Sequence, residues 1–113
     1  MISTTLVIFP YNIIVYRWLQ LLYLEPGNLE AMLNLAQVFS DLHNFDQSLA
    51  VLQRLLEHQP DHVEALYRAG VILYRTKQYD EAVRTLSKVM KHHQGYRSTL
   101  SLLSSAEKKL NSS

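Results

Sequence analysis

The sequence predicts an all-α fold of antiparallel helical hairpins stacked on one another. Three glycines and three prolines among 113 residues leave long uninterrupted stretches, unlike the turn-rich pattern of a β fold. Apolar residues recur at i, i+3, i+4 and i+7, the stripe of an amphipathic helix. The pattern also repeats every 34 residues, placing Pro26 and Pro60, Phe45 and Tyr79, and Asp46 and Asp80 in register. A fixed period of this size signals stacked supersecondary units that bury a common core.

Each unit divides into two helices. Residues 29–41 carry Met32, Leu35, Ala36 and Phe39 on one stripe, and residues 46–57 carry Leu49, Leu52, Leu55 and Leu56 on another. The next unit repeats this with Leu66, Ala69, Gly70 and Leu73, then Val83, Leu86, Val89 and Met90. Asp46 and Asp80 stand where an N-cap or first-turn acid satisfies free backbone N–H groups. Pro26-Gly27 and Pro60-Asp61 stop the second helices, because proline cannot continue them.

Glycine inside a helix costs about 1 kcal/mol against alanine, so Gly70 in "GVILYRTKQYDEAV" requires a reason. Two helices joined by a short turn approach closely only where small side chains meet. This predicts Gly70 opposite Ala82 and, one period earlier, Ala36 opposite Ser48.

The residues Leu66, Ala69, Gly70, Tyr79, Asp80, Glu81, Ala82, Leu86 and Val89, preceded by Met32, Leu35, Ala36, Phe39, Phe45, Asp46, Ser48, Leu52, Leu55 and Pro60, resemble the tetratricopeptide repeat (TPR) family. The resemblance covers 29–96 and implies a short right-handed solenoid. It divides the chain into an irregular segment at 1–12, the second helix of an incomplete repeat at 13–26, repeats at 29–62 and 63–96, and a capping helix with its tail at 97–113. In that cap Leu100, Leu103 and Leu110 are expected to face inward and Lys108 and Lys109 outward. The second repeat departs from the pattern by ending at Gln94-Gly95 instead of proline.

The resemblance implies a protein-interaction module, an adaptor or scaffold, that holds a partner in a concave groove lined by first helices. The groove candidates are Asn34 and Gln37 in the first repeat and Tyr67, Arg68, Val71, Tyr74 and Arg75 in the second. Tyr67 and Tyr74 are seven residues apart, as are Arg68 and Arg75, so each pair lies nearly on one line along the helix. Tyrosine and arginine are the residues that most often dominate interface energies. The partner is expected to be a protein or peptide, acidic or aromatic. Some TPR proteins clamp a C-terminal carboxylate with an asparagine and two basic residues. Asn34 and Arg68 match two of those positions, but Glu64 stands where the pattern asks for lysine.

Chemistry of other kinds lacks its residues. There is no cysteine, and no nucleophile elbow or phosphate-cradling glycine loop. His58 and His62 are separated by Pro60, and His43, His92 and His93 have no ligand-spaced carboxylate, so surface histidines are expected. The reading is no enzyme, no cofactor, no metal and no nucleic acid. The net charge of +1 divides into −4 for residues 1–62 and +5 for 63–113. That split is too interleaved with acids to specify a nucleic-acid surface.

The stretch "LVIFPYNIIVYRWLQLLYL" (6–24) is nearly long enough to span a bilayer, but it contains Pro10, Asn12, Arg17 and Gln20. A central arginine opposes insertion. A cytoplasmic protein is expected, with a membrane anchor at 2–24 as the alternative. A further alternative is self-association through the apolar N-terminal helix, around Trp18 and Leu21.

Overall fold

The computed structural model describes residues 2–112, and side chains for 13–112. Among the described residues there are six α-helices and no strand: α1 (Ile2–Leu24), α2 (Leu29–Asp41), α3 (Phe45–His58), α4 (Val63–Arg75), α5 (Tyr79–His92) and α6 (Thr99–Asn111). The chain forms two compact units, 1–51 and 52–113.

The 34-residue period is visible in the capping chemistry. Asn28 accepts a hydrogen bond from the Ala31 N–H through its side chain, at 2.9 Å. One period later His62 caps α4, its Nδ1 accepting from the Ala65 N–H at 3.1 Å. Each satisfies one of the donors that a helix start leaves without partners. His62 is therefore a structural residue and not merely a surface histidine.

The turns after α2 and α4 repeat as well. His43 N–H bonds to Ser40 O and Asn44 N–H to Phe39 O; Lys77 N–H bonds to Tyr74 O and Gln78 N–H to Leu73 O. These are paired carbonyl-closing bonds of a helix C-terminus with one left-handed residue. That residue is His43 (φ 60°) in one turn and Lys77 (φ 65°) in the other. Asp46 and Asp80 lie in the first turns of α3 and α5, inside the helices.

In the first unit α1 packs against α2, and Ala31, Met32, Leu35, Ala36 and Ser48 are buried. In the second, α5 packs against both α4 and α6, around Leu66, Ala69, Ile72, Leu73, Ala82, Leu86 and Val89.

Two expectations are corrected. The segment 1–12, read as irregular, is helical from Ile2 and continuous with the rest of α1. Pro10 lies within it; proline deletes one backbone hydrogen bond and bends a helix, but the remaining ladder bonds are still available. The inner stripe of α6 is also different. Thr99 and Ala106 are buried, Leu103 is half-buried, and Leu100 and Leu110 are exposed. Thr99 and Ala106 stand one period beyond Ala65 and Ile72, both buried in α4, so α6 turns the equivalent pair of positions inward.

The anchor reading of 2–24 falls partly on residues whose side chains lie outside the described set. Among the described residues no helix is long and apolar enough to cross a membrane.

Candidate functional site

The four small residues of the hairpins are all buried. Ser48 Oγ donates to the Ala36 carbonyl at 2.7 Å, in a buried bond linking α3 to α2. At Gly70 the close neighbour is Leu86. A Cβ built on Gly70 would lie 2.5 Å from Leu86 Cδ2 and 2.7 Å from Cγ. At closest approach to the glycine stands the side chain of Leu86, one turn beyond Ala82 on α5. Ala82 itself is fully buried.

With its Leu66–Gly70–Leu73 side buried, α4 turns Tyr67, Arg68, Val71, Tyr74 and Arg75 toward its other side. The first four are half-buried and Arg75 is exposed. Tyr67 meets the ring of Tyr96 edge-on, with centroids 5.4 Å apart. The Arg97 guanidinium lies 5.5 Å from the Tyr67 centroid and 5.2 Å from that of Tyr96. Glu64 binds Arg68 at 2.9 Å through one carboxylate oxygen and approaches Arg97 at 3.8 Å through the other. Arg97 holds a left-handed backbone, φ 46°, which costs a non-glycine residue about 1–2 kcal/mol. Its ring contacts and its approach to Glu64 act against that cost.

A second cluster lies two turns along the same helix. Tyr74 meets Tyr79 edge-on with centroids 5.6 Å apart, and Lys109 Nζ stands 6.0 Å and 5.8 Å from the two ring centres. Edge-on rings and cations over ring faces are both favourable arrangements of the aromatic quadrupole. Lys109 is exposed, as expected, and its amine stands over the two tyrosines.

Tyr96, Arg97 and Lys109 are the members of this surface that sequence reasoning missed. Gly95-Tyr96-Arg97 reads as a plain turn, and nothing in the 34-residue pattern marks it. In the first unit the two α2 candidates are engaged along their own helix. Asn34 Nδ2 donates to the Glu30 carbonyl, and Gln37 Nε2 to Asp41 Oδ1, each at 2.8 Å and exposed.

The Tetratricopeptide repeat family model matches residues 33–89, just over half of the sequence. The chain belongs to the tetratricopeptide repeat family. This repeat chain is also similar to solved structures. The MamA RS-1 ArsTM double mutant matches with a TM-score of 0.80 at 22% identity, over 83% of this chain and 53% of that one. The repeat chain thus spans about half the length of that protein. The first TPR of Spaghetti (RPAP3), bound to the HSP90 peptide SRMEEVD, matches with a TM-score of 0.84 at 14% identity, over 96% and 86%. The TPR2B domain of yeast Sti1, in a pHsp70 complex, matches with a TM-score of 0.75 at 19% identity, over 95% and 90%. At these identities the likeness is one of fold. Among curated proteins none matches in sequence.

Proposed function

We propose that this TPR chain is a protein-interaction module, an adaptor or scaffold without catalysis, and that the Tyr67–Arg75 side of α4 takes an acidic or aromatic peptide segment. The observation that carries this reading is the state of the two tyrosines. Each is held edge-on by a second tyrosine and faced by a cation, yet each keeps part of its surface in solvent. Side chains already ordered lose little entropy when a partner docks, which favours binding.

The charge of the surface supports an acidic ligand. Arg68, Arg97 and Lys109 stand among its rings and Glu64, with Arg75 exposed beside Tyr74 on α4. Two similar structures hold an HSP90 peptide and pHsp70, which supports a peptide as the class of ligand. Here, however, Glu64 sits 2.9 Å from Arg68 and places negative charge where a terminal carboxylate would be gripped. An internal segment fits this surface better than a chain end.

Selection from a displayed peptide library tests the reading. Peptides enriched in Asp, Glu and aromatic residues are expected, shifting the amide resonances of α4. Arg68→Glu/Arg75→Glu should weaken them by at least roughly tenfold, since each reversal replaces an attraction with a repulsion. Peptides that bind this variant equally well, or that shift only α1, would refute it. A cytoplasmic location belongs to the same proposal, and retention in carbonate-washed membranes would point instead to 2–24 as an anchor.

A further inference from the structure

The two tyrosines of α4 stand in boxes of the same make. In the first, Tyr67 meets Tyr96 edge-on and the Arg97 guanidinium lies over both rings. In the second, Tyr74 meets Tyr79 edge-on and Lys109 Nζ lies over both. Tyr96 and Arg97 come from the turn after α5, Tyr79 is the first residue of α5, and Lys109 lies in the last turn of α6. Each box thus joins two tyrosines to one cation that is itself exposed.

The charge on these cations is little compensated. Glu64 stands 3.8 Å from Arg97, whose side chain keeps 50% of its surface in solvent. Among the described residues no carboxylate pairs with Lys109. Tyr67 and Tyr74 are seven residues apart, so they share a face of α4 and lie about 10 Å apart along its axis. That separation discriminates between ligand conformations. Side chains on one face of a β-strand recur about every 7 Å, so a second one falls short of the far box and a third overshoots it. A polyproline II segment returns every third residue to the same face, about 9 Å further on. A helix covers about 10 Å over seven residues, but it needs an apolar surface to lie on. Between the two tyrosines the open side of α4 carries one aliphatic side chain, Val71.

Resting on the peptide-binding reading of this surface, we propose that its ligand is an acidic polyproline II segment with two acidic residues three positions apart, one at each box. Arg97 and Lys109 set the specificity, each donating to one carboxylate, while proline rings between the acids lie on Tyr67 and Tyr74. Proline-rich segments dock on rows of aromatic side chains. Being preformed, they lose little entropy on binding. An acid two or four positions from the first points about a third of a turn away and misses its cation.

Calorimetry with end-blocked, proline-rich peptides tests this. Three peptides of one composition carry two glutamates two, three or four positions apart. The three-position peptide should bind at least roughly tenfold tighter than the other two, because only there do both charges reach a cation. Arg97→Gln and Lys109→Gln, both at exposed positions, should each weaken it by roughly tenfold with helicity unchanged. Exchanging one glutamate of the peptide for glutamine should abolish the effect of one of these substitutions and spare the other. Equal binding at all three spacings would overturn the proposal, as would coupling of both glutamates to the same cation. Tighter binding of a helical peptide with its acids seven positions apart would do so too. In each of those cases, binding that still depends on Arg68 and Arg75 leaves the wider peptide-binding reading standing. If no acidic peptide binds, those selected from the library included, both fall.

Discussion

Leu86 occupies the space that a side chain at Gly70 would need, with its Cδ2 and Cγ 2.5 Å and 2.7 Å from where that Cβ would stand. Leu86 is fully buried, so a Cβ at Gly70 would have to displace a packed side chain. Glycine at this point is a packing requirement of the α4–α5 pair.

Gly70→Ala should therefore destabilise the chain despite alanine's better helix propensity. Overpacking of this kind costs about 1–3 kcal/mol, against a propensity gain of about 1 kcal/mol. Leu86→Ala alone should cost about 2–5 kcal/mol by leaving a cavity. In the Leu86→Ala background the new methyl group has room, so Gly70→Ala should become neutral or stabilising. Urea unfolding of the four chains measures the coupling, and strictly additive effects would contradict the contact.

The buried bond from Ser48 to the Ala36 carbonyl makes a different demand. Ser48→Ala should cost about 1 kcal/mol, the net worth of one such hydrogen bond. Ser48→Val should cost more, because it loses the bond and adds volume where α2 and α3 meet. Thermal melts that ranked valine above alanine would show that the site has spare room.

The left-handed turns at His43 and Lys77 offer a gain. Relief of the steric cost of about 1–2 kcal/mol is reduced by the greater unfolded-state freedom of glycine. Lys77→Gly and His43→Gly should each raise stability by a net amount of roughly 0.5 kcal/mol. The two sites belong to separate turns, so their effects should add. A fall in melting temperature for both would argue against left-handed backbone there.

The caps give the fourth test. Asn28→Ala and His62→Ala should each cost about 1 kcal/mol, the usual loss of an N-cap. His62→Asn should retain the cap, since its side-chain oxygen can take the role of Nδ1. Equal losses for His62→Ala and His62→Asn in chemical denaturation would show that the imidazole contributes by packing instead.

The sequence by itself determined the class of fold and the repeat, because both rest on spacing along the chain. Helical periodicity, prolines 34 residues apart and small residues at Ala36 and Gly70 are local signals that any helix must obey. The capping pair is not legible there: spacing makes Asp46 and Asp80 the cap candidates and His62 a surface histidine, while the structure puts the caps on Asn28 and His62. Tertiary structure alone decided how closely Leu86, one turn beyond Ala82 on α5, approaches Gly70, because a side chain's reach depends on how the two helices pack. It also decided the surface of α4. Arg97 and Lys109 reach Tyr67 and Tyr74 from residues 30 and 35 positions further along the chain, and such contacts depend on how α6 rotates against α5. That rotation buried Thr99 and Ala106 and left Leu100 in solvent, an outcome of packing that apolar spacing does not encode.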